Sequence, residues 1–171
     1  ERTIKENITK TYLRFYKAND LTINSAEDLL TIYFKKEVRN LSGKKILVLG
    51  AGNIGFKLSL RLIERGAEVH LFRRNKKKLD EMCSVINFIK PKGTIAKAKK
   101  ILSLKSNLKI YDVILCAADQ KGILKIRNIK NLKKNVLLID IGKGMFDSKT
   151  LQLLNESKIY VYRLDVSPSL D

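Results

Sequence analysis

Residues 44–78 read KKILVLGAGNIGFKLSLRLIERGAEVHLFRRNKKK, and this stretch decides the fold. Four apolar residues, Ile46 to Leu49, form a short strand that runs into Gly50-Ala51-Gly52-Asn53-Ile54-Gly55. In this spacing the first glycine permits a tight turn off the strand. The second lets backbone approach a pyrophosphate with no Cβ in the way, and the third lets the next helix pack closely on the strand. That helix is predicted from about Asn53 to Arg65, with an apolar face of Ile54, Leu58, Leu62 and Ile63, and Gly66 ends it. Its unpaired N–H groups and positive dipole end would face the phosphates. Ala67 to Phe72 gives the next strand and completes a βαβ unit of about 30 residues. Glycines alone also mark ordinary turns; the strand before them and the helix and strand after them make this a dinucleotide site.

The end of the second strand separates the two nicotinamide cofactors. An acidic residue about 20 positions past the first glycine would hold a ribose 2′-OH, whereas an arginine accommodates a 2′-phosphate. That place is held by Arg73, followed by Arg74, Asn75, Lys76, Lys77 and Lys78. A planar guanidinium can offer two donors to one phosphate at once, so the expected cofactor is NADP. The lysines serve equally well as solvated charges opening the next helix.

The 171 residues are enough for one medium domain with its own core, and 44% hydrophobic content without a low-complexity tract fits a globular protein. No apolar run approaches the ~20 residues needed to cross a membrane, and no signal peptide opens the chain; the expectation is a cytoplasmic protein with no membrane partner. The two cysteines, Cys83 and Cys116, lack metal-ligand spacing, and the single histidine, His70, falls inside a predicted strand. Neither a zinc site nor a disulfide framework is expected, and His70 and Cys116 read as packing residues. A net charge of +18 would ordinarily suggest nucleic acid or acidic lipid. Here it is lysine dispersed through helices and loops, without a stacking motif or zinc finger, so no specific nucleic-acid partner is expected.

Outside the βαβ unit, one helix is predicted from about Thr3 to Lys17. Another begins after Ser25, with Asp28 three residues on in the manner of a capping box. Asn75 to about Ser84 reads as helix, Val85 to Ile89 as a short third strand broken by Pro91-Lys92-Gly93, and Ile95 to about Ser103 as a lysine-rich helix. Tyr111 to Ala117 and Val136 to Asp140 are continuous apolar runs of the kind buried in parallel sheets. Short helices near Ile126 to Leu132 and Lys149 to Asn155 follow these strands, and Ile159 to Tyr162 gives a last strand. The alternation predicts an α/β fold: a doubly wound, mainly parallel sheet of Rossmann type with an amino-terminal helical segment. Residues 1–42 would be that helical segment, a remnant of or link to another domain, and 43–171 the dinucleotide-binding domain. Ligands in such sheets sit beyond the carboxyl ends of the strands. There Ala117, Ala118, Gly142 and Gly144 would let backbone approach the ribose and nicotinamide, unless the two glycines merely shape a turn.

Leu41-Ser42-Gly43-Lys44-Lys45 leading into VLGAGNIG, with a strand ending in two arginines, resembles the NADP-binding domain of the shikimate dehydrogenase and glutamyl-tRNA reductase group. The resemblance covers about Thr22 to Val161; the ketopantoate reductase type shares its glycine motif and basic strand end. It implies an N-R-T-x-x-K-like motif holding the 2′-phosphate. Arg74 falls on the motif arginine and Lys78 on its last basic residue, while Arg73 replaces the asparagine and Asn75 the threonine. Shikimate dehydrogenases carry substrate and their catalytic Lys and Asp in a separate amino-terminal domain, and nothing ahead of Thr22 is long enough to be that domain. The chain also starts at Glu1 and stops just after a strand, so the expectation is a fragment or one domain of a larger protein.

The resulting expectation is an NADP(H)-binding oxidoreductase domain that positions a nicotinamide for hydride transfer to or from a small polar substrate, bound together with a separate domain or subunit. Cofactor-binding residues are Gly50, Ala51, Gly52, Asn53, Ile54, Gly55, Arg73, Arg74, Lys78, Ala117, Ala118 and Gly142. No catalytic acid or base is assigned: Lys143 and Asp119 lie near the nicotinamide end by position alone. Two rivals are a dinucleotide-sensing module without turnover and an interaction protein whose basic surface docks on an acidic partner in a salt-dependent way. Neither substrate identity nor oligomeric state follows from the sequence.

Overall fold

A computed structural model describes residues 17–166 apart from 106, 158 and 160. The helix expected over Thr3 to Lys17 lies almost wholly outside these residues. The described chain runs α1 (Ala18–Tyr33), β1 (Lys45–Leu49), α2 (Asn53–Glu64), β2 (Glu68–Phe72), α3 (Lys76–Ile89), β3 (Ala98–Ile101), a 3₁₀ turn (Leu108–Ile110), β4 (Val113–Cys116), α4 (Ile126–Ile129), β5 (Leu137–Asp140), α5 (Ser148–Glu156) and β6 (Val161–Arg163). The six strands form one parallel sheet in the order β3-β2-β1-β4-β5-β6. This is the doubly wound order of a Rossmann fold, with its switch point between β1 and β4.

Strand alternation divides the core in two. Ile46, Val48, Val69, Leu71, Val113 and Leu115 face one layer, where α1, α2 and α3 contribute Ile23, Leu30, Leu58, Leu62, Leu79 and Ile86. Leu47, Leu49, Ile114, Cys116 and Leu138 face the other, closed by Leu108, Tyr111, Leu124, Phe146 and Leu154. Every residue from Ile46 to Leu49 is fully buried, because β1 is covered on both faces and flanked on both edges.

Three local expectations are corrected. The capping box at Ser25 is not used: α1 begins at Ala18, after Lys17, whose side chain makes no cap, and Ser25 lies inside the helix. Ile23, Ala26 and Leu30, spaced at i, i+3 and i+7, are buried against α2, and this packing outweighs a weak cap signal. Charge holds the same pair of helices together. Glu27 accepts from Arg61 at 3.0 Å and from Arg65, and Lys57 reaches Asp20 at 2.6 Å.

Val85 to Ile89 is not a strand but the last turn of α3. Leu79, Cys83 and Ile86 keep helical phase into the core, while Val85, Phe88 and Ile89 project outward, Phe88 at 89% exposure. A five-residue apolar run carries no period that separates strand from helix. The third strand lies instead within the segment expected as a lysine-rich helix. At the sheet edge, β3 buries Ala98 and turns Lys99 and Lys100 to solvent, as edge strands commonly do. Asn87 of α3 covers part of this edge: its amide donates to the Ala98 carbonyl and accepts from the Ala98 N–H, both at 2.9 Å.

Candidate functional site

Beyond the carboxyl ends of β1, β2 and β4 lies a cleft of about 380 Å³, lined by residues 50–52, 72–75 and 117–120 and by Ile123. It occupies the switch point of the sheet, where strand order reverses and the βα loops diverge.

The three glycines have distinct geometric duties. Gly50 turns at φ +94°, a left-handed conformation that side chains resist, and its N–H donates to the Phe72 carbonyl at 3.0 Å. A Cβ there would lie 2.6 Å from the Ala118 Cβ. A Cβ on Gly55 would lie 1.9 Å from the Gly50 carbonyl oxygen, so this glycine lets α2 sit directly against the turn. Gly52 differs from both. It caps α2 with extended backbone, and a Cβ built on it meets nothing within 4 Å. Open backbone at the amino end of a 12-residue helix, beside a cleft, is a cradle that fits a pyrophosphate.

The basic end of β2 is asymmetric. Arg73 is half-buried; its Nη1 donates to the Ala51 carbonyl at 2.6 Å and touches the Met82 sulfur at 3.4 Å. Arg74 is exposed and makes no hydrogen bond or ion pair with another described residue. Asn75 caps α3, its side chain accepting from the Lys78 N–H at 3.0 Å. Asparagine is as good a cap as the threonine of the family motif, so that replacement preserves the helix start.

Of the residues expected at the site, Gly50, Ala51, Gly52, Arg73, Arg74, Ala117 and Ala118 line the cleft. Asn53, Ile54 and Gly55 form the first turn of α2 just behind it, and Lys78 lies in the first turn of α3, outside the lining. Gly142 is also outside. Its N–H donates to the Cys116 carbonyl at 2.9 Å, and a Cβ on it would lie 2.1 Å from the Ala118 carbonyl oxygen. Its smallness lets the loop after β5 pack under the loop after β4, the turn-shaping alternative; Gly144 does the same against Lys121. Asp140 secures this loop by accepting from the N–H groups of Gly144 at 3.2 Å and Met145 at 3.1 Å.

Phe72, Asn75, Gln120 and Ile123 also line the cleft and are not among the residues expected there from sequence. Phe72 was legible as the last residue of its strand, but Ile123 reaches the cleft only through the folding of its loop. Lys143 is exposed at φ +62° and does not line the cleft, whereas Asp119 does.

Other titratable groups serve packing. His70 Nδ1 lies 2.7 Å from the Tyr111 hydroxyl and Nε2 lies 2.9 Å from Glu68, which also pairs with Lys99. Burial, reinforced by the Glu68 charge, pushes the Tyr111 phenol up to about 12. Burial likewise pushes the Cys116 thiol to about 11, so it stays protonated beneath the cleft floor. Among the described residues, no three His, Cys, Asp or Glu side chains are grouped to hold a metal ion, and no helix is long and apolar enough to cross a membrane.

The family model for shikimate / quinate 5-dehydrogenase matches residues 33–164. The chain belongs to the shikimate / quinate 5-dehydrogenase family. Proteins named glutamyl-tRNA reductase are among its relatives. The one from Thermosipho melanesiensis is 28% identical over 138 residues, covering 81% of this chain and 34% of that protein. The one from Flavobacterium psychrophilum is 29% identical, covering 64% and 25% respectively. This chain therefore spans about a third or less of the length of these relatives. Among solved structures, the dipicolinate synthase A chain from Bacillus subtilis superposes with a TM-score of 0.67 at 16% identity, covering 99% of this chain and 54% of that one. D-lactate dehydrogenase from Salmonella gives 0.60 at 16% identity, covering 88% and 49%. At this identity the likeness establishes the fold alone, the doubly wound parallel sheet of Rossmann type.

Proposed function

We propose that this chain is the NADP(H)-binding domain of an oxidoreductase, serving hydride transfer to or from a small polar substrate held jointly with another domain or subunit. The observation that carries the reading is the end of β2: two arginines and no carboxylate, lining the same cleft as the open Gly52 cradle. A carboxylate there would bind a ribose 2′-OH; arginine favours a 2′-phosphate. Gly50 and Gly52 would admit the pyrophosphate to the start of α2, and Ala117 and Ala118 would leave room for the ribose and nicotinamide. When bound, the nicotinamide supplies the hydride chemistry, while the protein supplies position, electrostatics and shelter from water.

The relatives' greater length supports a substrate-binding part beyond this chain. Two buried, unpaired cysteines fit a reducing compartment such as the cytoplasm. Calorimetric titration of the protein with NADPH and NADH tests the proposal. The expected result is NADPH binding at least about tenfold tighter than NADH, a difference of about 1.4 kcal/mol. Equal affinities, or a preference for NADH, would overturn the NADP assignment. Binding of neither nucleotide would overturn the dinucleotide reading altogether.

A further inference from the structure

Adjacent arginines leaving a strand end set out toward opposite faces of the sheet, because successive side chains along a strand alternate sides. Within β2, Val69 and Leu71 face the layer of α2 and α3, whereas Phe72 packs against the opposite cluster. Arg73 continues the first parity, and its contacts agree: Met82 belongs to α3 and Ala51 to the glycine loop. Its guanidinium thus ties three segments together, the end of β2, the loop that opens α2, and the body of α3. Arg74 falls on the other parity, on the cleft rim, exposed and without a partner among the described residues.

We infer that Arg73 is a positioning residue that braces the glycine loop through the Ala51 carbonyl, which leaves the 2′-phosphate to Arg74, the residue that falls on the family motif's arginine. The inference rests on the NADP(H) reading of the cleft and refines it. The Ala51 carbonyl and the Gly52 N–H share one peptide plane, so holding the carbonyl fixes the direction of that N–H. A pyrophosphate bound in that cradle is common to both dinucleotides. Loss of the brace must therefore weaken NADPH and NADH alike, whereas loss of a phosphate fork must weaken NADPH alone. Neutral hydrogen-bonding residues would leave the carbonyl with a weaker donor, since bonds from a charged group are roughly twice as strong.

The test uses the intact protein and its Arg73→Ala, Arg73→Lys and Arg74→Ala variants, with two measurements. The first is calorimetric titration with NADPH and with NADH. Arg74→Ala is expected to lose at least about tenfold in NADPH affinity with NADH affinity unchanged within about twofold, collapsing the preference. Arg73→Ala is expected to weaken both nucleotides by a common factor and keep their ratio. Arg73→Lys, which retains a charged donor, should recover part of that loss.

The second measurement is amide hydrogen exchange across residues 50–53 without nucleotide. Arg73→Ala should accelerate exchange there and Arg74→Ala should not. A selective loss of NADPH in Arg73→Ala, with loop exchange unchanged, would overturn the division of labour. If the unaltered protein binds neither nucleotide, the NADP(H) reading fails. Exchange alone then decides the brace: acceleration in Arg73→Ala supports it and no change refutes it.

Discussion

Substituting Gly55 and Gly52 should separate packing from ligand contact within a single motif. At Gly55 a new Cβ would lie 1.9 Å from the Gly50 carbonyl oxygen, where ordinary contact begins at 3.4 Å. The obstacle is backbone, which cannot swing away as a flexible side chain would, so α2 and the turn must part by about 1.5 Å. Overpacking of this kind costs about 1–3 kcal/mol, and the rigidity of the obstacle places Gly55→Ala near the upper end. Replacing glycine with alanine inside a helix returns about 1 kcal/mol of propensity. The net loss is about 2 kcal/mol, which for a chain of this size lowers the melting temperature by roughly 4–8 °C.

Gly52→Ser should behave in the opposite way. The position has extended backbone and open space, and serine is at least as good a helix cap as glycine, so the melting temperature should stay within about 1 °C. The added side chain nevertheless occupies the cradle, and NADPH affinity should collapse. The assay is thermal unfolding followed by circular dichroism, with nucleotide titration on the same samples. A Gly55→Ala protein that melts like the parent would refute the close-packing account of the third glycine. Gly52→Ser destabilised to the same degree as Gly55→Ala would refute the claim that the second glycine faces open space.

Leu62→Ala, which empties a fully buried position under β1, should cost about 2–5 kcal/mol in urea unfolding, with the slope of the transition unchanged. Asn87→Ala removes both hydrogen bonds to Ala98 and bares that part of the β3 edge; faster exchange of the Ala98 amide and increased light scattering on concentration are expected. Burial raises the Glu27 carboxyl, but hydrogen bonds from Arg65 and then Arg61 more than offset this and hold it below the usual glutamate range. A carboxylate depressed in the folded state stabilises above its unfolded value, near pH ~4.3, and loses that contribution as pH falls through the folded value. Glu27→Gln should therefore be less stable than the parent at pH 7 and closer to it at pH 3, measured by urea midpoints; a constant gap at both pH values would count against the ion pairs.

Legibility followed the range of the forces involved. The GxGxxG turn, the helix from Asn53 and its end at Gly66 (φ +84°) could be read because each depends on residues a few positions apart. The buried strands at Val113–Cys116 and Leu137–Asp140 were likewise legible, since a strand covered on both faces is apolar throughout. The segment around Lys99 and Lys100 misled because an edge strand has one paired side and can carry lysines that read as helix. Val85, Phe88 and Ile89 misled for the converse reason: exposed apolar residues on a helix imitate a buried strand. Within the site, the glycine loop and basic strand end were legible, but sequence left Gly142 between a cofactor contact and a turn-shaping role, since its neighbour Ala118 is far away in sequence and meets it only after two strands have paired.

The sequence by itself determined that a strand, a glycine-rich turn, a helix and a second strand with a basic end follow one another between Lys45 and Arg74, because those features arise from local backbone freedom, capping and periodicity. Only the tertiary structure decided that Ala98–Ile101 forms the edge strand and that Phe72 and Ile123 join the cleft lining. It also turned one of two adjacent arginines inward to Ala51 and Met82 while leaving the other at the rim. These outcomes depend on strand order and side-chain parity across the sheet. Both are set by which buried surfaces meet, and the chemistry of neighbouring residues along the chain does not specify them.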